Sequence, residues 1–422
     1  MPHILAQSIA LLTTLLAVAG MGYFLAAQLA ARVFLTDRRG SLPEFSPGVS
    51  VLKSLKGLDP GMIEAFASHC RQSYAGQYEL LFGVASLDDP AVTAVRQLIA
   101  EFPEQAIRLI ECPLRLGSNG KVSTLVQLAA HARYDFLLIN DSDITVSPGY
   151  LERVMGCFAA TEICSRAKAI DDSAESMRGL KPPPPSEASS SATSVGKVGL
   201  VTALYRGRAR QTLPSKLEAL GIATDFQAGV LLSKWIEGGL HYGLGSTLAV
   251  SREALDKIGG LEVLVDHLAD DYELGARVDR AGYRVVLSAE VVETNIAAYG
   301  WRGFLAHQLR WARTVRDARP WGYAGLIFTH GLGWALFNVV ASGLSPLSLW
   351  LLGLSFFLRL SLAMTVGAVV LADRQVLPNL WLLPLRDMVA MGVWVAGFTG
   401  NSILWRGERF ALKDGKLETV EK

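Results

Sequence analysis

The chain has 422 residues, of which 50% are hydrophobic and 19% are charged, and its formal net charge is +1. A soluble domain carries about 25% charged residues, so this composition and the mean hydropathy of +0.30 indicate a chain lying partly in lipid. The composition excludes a disordered chain, a collagen and a small disulfide scaffold. With no concentrated basic face, we expect no nucleic-acid partner.

The first apolar segment runs from Ile4 to Val33 almost without charge. About 20 apolar residues cross a hydrocarbon core of roughly 30 Å, so this segment is long enough to span a membrane. A signal peptide would carry its positive charge before a shorter apolar core, whereas here Arg32 lies at the end of the segment and Arg38 and Arg39 follow it. We therefore predict that residues 1–35 anchor the chain in the inner (cell) membrane, with the following residues in the cytoplasm.

Residues 45–320 alternate short apolar runs with amphipathic stretches. We predict strands at 49–55, 78–86, 107–112, 134–141, 198–205 and 283–288. Helical spacings at 91–101 and 121–131 lie between the earlier strands, which indicates an α/β domain with a mostly parallel sheet. Ligands of such sheets bind beyond the carboxyl ends of the strands. Residues 171–196, rich in Pro, Ser and Ala, are predicted to be a disordered insertion.

One acidic pair directly follows a predicted buried strand. Asp141 and Asp143, in the run NDSDI, stand at the carboxyl end of the strand at 134–141. Two carboxylates at this spacing can hold a hard divalent cation that also bridges a diphosphate. A turn rich in Asp and Ser is the alternative interpretation.

Two further acidic pairs each have two interpretations. Asp270 and Asp271 precede a helical pattern, where acids are stabilised by the helix dipole, or where one of them serves as a general base. Asp88 and Asp89 follow another predicted strand, where they cap the next helix or contact a nucleotide.

The motif HQLRWART at 307–314 precedes a second apolar region. Blocks at 322–343, 347–372 and 377–405 predict transmembrane or interfacial helices within 321–406, followed by a tail at 407–422. Four simple spans would leave the basic tail outside the cell, against the positive-inside rule. One of the last blocks is therefore expected to be re-entrant or to lie in the interface.

Ionisable residues inside the apolar blocks are costly and usually face protein, water or one another. Arg359, and the adjacent Arg386 and Asp387, are of this kind. Arg359 either extends its charge to the membrane surface or contacts a lipid phosphate or a sugar. The stretch at 214–242 is either an interfacial helix or a buried packing helix.

Taken in chain order, the three acidic pairs, the Arg-Trp motif and the flanking apolar segments resemble the membrane-bound family 2 and family 21 glycosyltransferases. These enzymes have a GT-A fold and a D, D, D, (Q/R)xxRW signature. The resemblance is closest to ceramide glucosyltransferases and bacterial hopanoid-biosynthesis glycosyltransferases. It rests on SVLKSLKGLDP (50–60), DDPA (88–91), GSNGKVSTL (117–125), NDSDI (140–144), ADDYELG (269–275) and RW (310–311).

The resemblance implies an α/β fold of the GT-A type, Rossmann-like with a mostly parallel sheet. This cytosolic catalytic domain would lie between N-terminal and C-terminal transmembrane helices. The implied catalytic residues are Asp271, Asp270, Arg310 and Trp311. The implied donor-binding residues are Asp88, Asp89, Lys121, Asp141 and His307, and the implied metal ligands are Asp141 and Asp143.

Within that set, the resemblance gives Asp271 the role of base toward an acceptor hydroxyl. Arg310 and Trp311 would steady the diphosphate of the donor, and the cofactor would be a divalent cation, Mn or Mg. His307 departs from the (Q/R)xxRW signature at its first position. It is therefore either a contact of the donor or an interfacial polar residue.

We therefore expect an inverting transfer of a sugar from a UDP-sugar to a hydroxyl of a membrane lipid, without a covalent enzyme intermediate. VTALYRG (201–207), LPLRD (383–387) and WRGERF (405–410) resemble the hopanoid group, which implies N-acetylglucosamine transfer to a hopanoid polyol such as bacteriohopanetetrol. The alternative is a ceramide glucosyltransferase that uses UDP-glucose. A processive polysaccharide synthase, the second alternative, would usually bring more spans and an intact QxxRW. A non-catalytic scaffold would be expected to lose acids that this chain retains.

Overall fold

An eight-stranded sheet organises the middle of the chain, and apolar helices precede and follow it. The computed structural model describes residues 2–38, 43–159, 196–405 and 408–419. Of the predicted insertion at 171–196, all but Gly196 lies outside these described residues. The first helix, α1 (Pro2–Asp37), covers the predicted N-terminal anchor.

The sheet is mixed, but most of its strands run in one direction. The strands are β1 (Val49–Ser54), β2 (Tyr78–Val84), β3 (Ile107–Glu111), β4 (Phe136–Ile139), β5 (Ile144–Thr145), β6 (Val198–Arg208), β7 (Leu248–Ser251) and β8 (Arg284–Asn295). Their order is β3-β2-β1-β4-β7-β6-β8-β5. The short strands β7 and β5 pair antiparallel with their neighbours, whereas the other neighbours pair in parallel. The predicted mostly parallel α/β sheet is confirmed.

Helices cover both faces of this sheet. They are α2 (Met62–Cys70), α3 (Ala91–Glu101), α4 (Gly120–His131), α5 (150–159), α6 (Leu213–Gly221), α7 (Gln227–Ile236), α8 (Arg252–Lys257), α9 (Asp270–Arg280) and α10 (Trp301–Ala318). A π-helical stretch, Ile222–Phe226, joins α6 to α7, and a 3-10 turn, Glu262–Leu264, follows α8.

The strands alternate their side chains between two apolar cores, as the pleat of a strand requires. In β4, Leu138 joins the core under α2 and α3, whereas Leu137 and Ile139 face the opposite core. That second core continues to Phe24 and Leu362 in the apolar helices. The α/β domain and the apolar helices therefore share one continuous core.

The apolar helices after the sheet are interrupted by short irregular stretches. They are α11 (Pro320–Gly325), a 3-10 turn (Leu326–Thr329), α12 (Gly331–Ala341), α13 (Pro346–Ala363), a π-helical stretch (Met364–Val370), α14 (Val376–Asn379), a 3-10 turn (Leu380–Leu382) and α15 (Leu383–Gly397). Within the described residues, three helices are long and apolar enough to cross a membrane: Ile4–Asp37, Pro346–Val370 and Val376–Gly397. The pair Pro320–Thr329 and Gly331–Ala341, bent by 57°, makes a fourth if it counts as one span.

The last of these helices begins and ends beside the α/β domain. Gln375, just before Val376–Gly397, donates from Nε2 to the backbone of β6 at a distance of 3.1 Å. At the other end, Arg316 of α10 donates from Nη1 to Gly397 O at 2.6 Å. Both ends of Val376–Gly397 therefore contact elements of the α/β domain.

Arg359 lies inside the protein, with only 2% of its surface exposed. Its Nε donates to Asp387 Oδ2 at 2.9 Å, and its Nη2 contacts Asp225 of the π-helical stretch. The guanidinium is thus held by two carboxylates, and it neither extends to the membrane surface nor faces lipid. Burial of a charge in such a bundle requires this pairing.

A C-terminal sheet occupies part of the predicted tail and also the end of the last apolar block, where residues 402–405 form a strand and not the predicted helix. Strands β9 (Ser402–Trp405), β10 (Glu408–Lys413) and β11 (Lys416–Thr419) pair antiparallel. Their buried side chains pack on Leu268, in the loop before α9. The sequence did not predict this sheet because its strands are short and their apolar partner lies far away in the chain.

A glycine pair in the helix bundle generates a first prediction. A Cβ atom at Gly20 would lie 2.2 Å from the Cα atom of Gly331, whereas a Cβ at Gly22 would meet nothing within 4 Å. Gly20→Ala should force α1 and α12 apart and destabilise the protein by about 1–3 kcal/mol. Gly22→Ala, the matched control, should be neutral or slightly stabilising because alanine favours helices. Thermal unfolding in detergent measures both, and equal midpoints would contradict the close packing.

Candidate active site

Several of the sequence-predicted acids meet at one edge of the sheet, beyond the carboxyl ends of the central parallel strands. Asp141 follows β4 directly, and its Oδ1 lies 2.9 Å from Lys121 Nζ. The same ammonium group lies 3.1 Å from Asp270 Oδ2, at the start of α9. Lys121 therefore joins two of the predicted acidic pairs in one ionic cluster.

The start of α4 fixes where Lys121 points. Asn119 caps this helix, because its side chain accepts a hydrogen bond from Val122 N at 3.2 Å. The Asn119 side chain also donates from Nδ2 to His267 O at 2.7 Å, in the loop before α9. One capping residue thus sets the distance between the lysine and the acids of α9. Burial opposes the charge of Lys121, but the nearby carboxylates, Asp141 and Asp270 first, raise its pKa.

Two backbone amides hold the carboxylate of Asp271, the neighbour of Asp270. Gly245 N donates to Asp271 Oδ2, and Tyr272 N donates to Asp271 Oδ1, both at 2.8 Å. A Cβ atom at Gly245 would lie 3.0 Å from Asp271 Oδ2 and 3.7 Å from Asp141 Oδ2, so this position favours glycine. Burial, followed by the charge of Asp270, raises the pKa of Asp271 to about 6. Such a carboxylate ionises close to neutral pH and suits a general base.

Asp143 lies deeper than Asp141. Its Oδ2 accepts a hydrogen bond from Thr294 Oγ1 at 2.5 Å, and Asn295 Nδ2 donates to its carbonyl at 3.1 Å. Burial, followed by the charge of Asp141, raises the pKa of Asp143 to about 6. The two carboxylates are therefore close enough to repel each other.

This donor set fits a divalent cation. Carboxylate oxygens are the ligands that Mg²⁺ and Mn²⁺ prefer, and a dication would relieve the repulsion between Asp141 and Asp143. Within the described residues, no group of three or more His, Cys, Asp or Glu side chains forms a complete metal site. The protein would supply two ligands, and oxygens of a bound diphosphate could complete the shell.

Asp88 and Asp89 lie at the end of the neighbouring strand, β2. The carboxylate of Asp89 accepts hydrogen bonds from Gly57 N, at 2.9 and 3.1 Å, and from Ala91 N at 2.8 Å. It therefore ties the loop after β1 to the start of α3. Asp88 is exposed, and its backbone N–H contacts Ser86 Oγ. The carboxylate of Asp88 is thus at the surface.

The HQLRW motif lies on α10, in a second polar cluster. His307 Nδ1 lies 3.2 Å from the carboxylate of Glu218, which is only 3% exposed. Tyr299 Oη also donates to this carboxylate, and Gln308 Nε2 donates to it at 3.3 Å. The Trp311 ring packs 4.7 Å from the His307 ring. Arg310 is near enough for its charge to act on Tyr299.

Tyr205 is influenced by the charges of both clusters. Burial, followed by the charges of Asp271 and Glu218, raises the pKa of its phenol, so both carboxylates lie within electrostatic reach of it. In the described parts of the chain, no hydrogen bond joins His307 to Asp141 or Asp271. The structure therefore brings Lys121 and the acids after β4 and at the start of α9 together, and places His307 and Trp311 in a separate cluster around Glu218.

Two residues of this region were not identified from the sequence. Lys53 is 1% exposed, and its Nζ donates to Asp141 O at 3.0 Å. Burial lowers the pKa of Lys53 to about 7. Glu218 lies in α6, within the stretch at 214–242, where its charge looks like part of an amphipathic helix. A lysine inside the apolar run VSVLKSL was the available signal for Lys53, whereas nothing near Glu218 in the sequence marks its partners.

The C-terminal sheet closes the outer side of the loop that leads to Asp270. Leu417 N donates to Asp266 O at 2.8 Å, and Leu268 N donates to Gly415 O at 3.3 Å. Glu408 of β10 forms an ion pair with Arg115 at 3.0 Å, just before α4. The loop is thus held between the start of α4 and a sheet that follows the last apolar helix.

Comparisons with known proteins agree with this architecture. The model of glycosyl transferase family 21 matches residues 12–165 and 190–418. Ceramide glucosyltransferase 3 of Caenorhabditis elegans is 24% identical over 384 residues, which cover 87% of this chain and 73% of that protein. Ceramide glucosyltransferase 1 of the same organism is 23% identical over 388 residues, covering 88% and 73%.

A solved structure also aligns along most of the chain. It is the mannosyltransferase PcManGT from Pyrobaculum calidifontis in complex with GDP-Man and Mn2+. The TM-score is 0.48 and the sequence identity is 18%, over 93% of this chain and 99% of that chain.

The ionic cluster generates a second prediction. Lys121 opposes the rise in the pKa of Asp271, so its removal should raise that pKa further. In Lys121→Met, we expect the acid limb of the pH–activity profile to move upward by about one pH unit. Lys257→Met, which removes an exposed lysine from α8, is the control and should leave the profile unchanged. An unshifted acid limb in Lys121→Met would contradict the coupling between Lys121 and Asp271.

Proposed function

Because the chain belongs to glycosyl transferase family 21, we propose that it transfers the sugar of a UDP-sugar to a hydroxyl of a membrane lipid, with inversion at the anomeric carbon. The observation that carries the proposal is the position of Asp271. Two backbone amides hold its carboxylate beside the cluster of Asp141 and Lys121, in a domain that shares its core with apolar helices.

The donor side of the site would be built from the acids after β4 and from Lys121. Asp141 and Asp143 would hold a divalent cation, Mn or Mg, which when bound neutralises the charge of the leaving diphosphate. Lys121 supplies a fixed positive charge next to Asp141. Asp88, Asp89 and His307 remain candidate contacts of the donor, and Arg310 and Trp311 remain candidates for steadying its diphosphate.

Asp271 would act as the base. The acceptor oxygen forms a bond to the anomeric carbon, the bond from that carbon to the diphosphate oxygen breaks, and the hydroxyl proton passes to the Asp271 carboxylate. The UDP leaves with the electron pair of the broken bond. Asp270 forms an ion pair with Lys121. Its charge raises the pKa of Asp271 and would keep that pKa close to neutral pH.

A lipid acceptor agrees with the relatives and with the packing of the segment at 213–236. The two relatives are named ceramide glucosyltransferases. In this chain, Gln227 at the start of α7 donates from Nε2 to Tyr205 O at 2.9 Å, beside the acids. Trp235 and Ile236, at the other end of α7, are exposed apolar side chains. One helix thus reaches from the candidate site to an apolar surface.

The contacts at the helix ends support a membrane topology. We infer that α1, the bent pair and Pro346–Val370 cross the membrane, and that Val376–Gly397 returns to the side from which it starts. Arg38, after α1, donates from Nη1 to Val370 O at 3.2 Å, so both ends lie on the side of the α/β domain. The positive-inside rule then assigns that side to the cytoplasm, with the helices in the inner (cell) membrane.

Two acceptors remain in competition. The motifs at 201–207, 383–387 and 405–410 favour a hopanoid polyol with UDP-N-acetylglucosamine as donor, whereas the names of the relatives favour ceramide with UDP-glucose. Discrimination between these donors depends on contacts to a hydroxyl or an acetamido group.

Mass spectrometry of lipid products tests the proposal. Membranes that contain the chain receive UDP-glucose or UDP-N-acetylglucosamine together with ceramide or bacteriohopanetetrol, in the presence of Mn²⁺. We expect an N-acetylhexosamine mass gain on the hopanoid, and a hexose on ceramide would assign the alternative. Chelation of Mn²⁺ should abolish either product. Absence of all four products would contradict sugar transfer to these lipids.

The base generates a further prediction. Asp271→Asn should reduce transfer by about 10³-fold or more while binding of UDP is retained, because asparagine keeps the shape but cannot accept the proton. In the wild type, protonation of Asp271 should make kcat/KM fall as the pH falls below about 6. Steady-state kinetics and UDP titration measure both effects. Asp256 is an exposed acid on α8, and Asp256→Asn serves as the control, which should keep full activity. Full activity in Asp271→Asn would show that Asp271 is not the base.

A further inference from the structure

Polar side chains meet inside the helical part of the molecule, away from the acids of the candidate active site. We call this group the polar recess; it consists of Asp225, His330, Arg359, Arg386 and Asp387. Arg359 is fully engaged there with the two carboxylates. Arg386 Nη2 lies 3.4 Å from Asp225 Oδ2 and forms a looser ion pair.

Arg386 is the incompletely satisfied member of the polar recess. It is 8% exposed, yet its Nε and Nη1 have no hydrogen-bond partner among the described residues. The ring nitrogen Nε2 of His330, which lies within electrostatic reach of Arg386 and Asp225, is also buried without a partner in this part of the structure. Buried donors are nearly always paired, so these groups indicate a ligand or ordered water.

One side of the polar recess borders the protein surface. The side chain of Asp225 is 32% exposed, and Phe226 beside it is also exposed. His330 stands at the break between Thr329 and Gly331, where the apolar helix pair bends by 57°. A π-helical stretch and a bent helix pair thus contribute residues to the polar recess, and both features recur at functional sites in helices.

The charges of the polar recess select the kind of ligand. Two guanidinium groups face two carboxylates, so the group is formally neutral as it stands. A phosphate would add uncompensated negative charge at this depth, which is costly. A neutral head with oxygen acceptors for Arg386 and a hydroxyl or amide donor for Asp225 would satisfy the open positions. Hydroxyl-bearing or amide-bearing lipids have such heads.

The polar recess is connected to the candidate site through α6. A Cβ atom at Gly221 would lie 2.2 Å from Arg386 Nε, so the guanidinium packs directly on the end of this helix. Glu218, one turn earlier, carries the His307 cluster, and Tyr205 lies within reach of both Glu218 and Asp271. The polar recess and the Glu218 cluster therefore contact the same helix, one turn apart.

We propose that the polar recess binds the uncharged polar head of the acceptor lipid, with Arg386 Nη1 donating to one of its oxygen atoms and Asp225 accepting from its hydroxyl or amide group. The proposal rests on the proposed lipid acceptor. It adds a binding site and the chemical class of the head that the site selects. Arg386 does not touch the reacting atoms and takes no part in the proton transfer.

The kinetic test uses Arg386→Lys in the full chain. Lysine keeps the positive charge opposite Asp225 but lacks the planar fork of donors. We expect the KM for the lipid acceptor to rise by at least tenfold, with the KM for the UDP-sugar and the thermal midpoint unchanged. Ser361→Ala, which removes a hydrogen bond between α13 and α1 outside the polar recess, is the control: it should lower the thermal midpoint and leave both KM values unchanged. An unchanged acceptor KM in Arg386→Lys would overturn the proposal, and so would a fall in the thermal midpoint that accounts for the loss.

A binding test separates the polar recess from the proposed function. A ceramide and a bacteriohopanetetrol, each with a diazirine next to the polar head, are photo-crosslinked to the protein without donor, and the labelled peptides are mapped by mass spectrometry. Labelling of 222–236 or 326–334 that is lost in Arg386→Lys and resists excess phosphatidylglycerol supports the site, even if no sugar is transferred. Transfer without labelling there would overturn the polar recess while leaving the proposed function intact.

Discussion

The candidate site depends on the two ion pairs that the ammonium group of Lys121 forms. This group pairs with Asp141, after the fourth strand, and with Asp270, at the start of α9, although these segments are far apart in the sequence. Without that charge, the carboxylates gathered at the sheet edge would repel one another in a partly buried place. The cap at Asn119 aims Lys121 and also binds the loop before α9, so the same few residues set both the charge and the geometry of the site.

Much of the α/β domain could be predicted because it is encoded locally. The strand periodicity located the central strands, and the spacing of apolar residues gave α3 its observed bounds, Ala91–Glu101. The position of Asp141 at the carboxyl end of β4 followed from the strand pattern, whereas its grouping with Asp270 was implied only by the family resemblance. The resemblance to a glycosyltransferase family, now shown over most of the chain, added what spacing alone could not.

The rest could not be predicted because it depends on contacts between distant residues. Glu218 becomes conspicuous only when α10, 89 residues later, brings His307 to it. Lys53 interrupts an apolar strand, but its partner, Asp141 O, lies 88 residues later in the chain. The short strands after residue 401 gain their apolar partner from Leu268. In each case the local sequence is compatible with several structures, and tertiary packing selects one of them.

The C-terminal sheet has a consequence for the biogenesis of the protein. Its strands follow the apolar helices in the chain, yet they support the loop that leads to Asp270 and pair with Arg115 before α4. A nascent chain that has completed its α/β domain still lacks this support until Val376–Gly397 has been placed and the strands have folded back. Folding of the candidate site is thereby coupled to placement of the last apolar helix, and a precursor stalled before that step would carry the loop before Asp270 without its support.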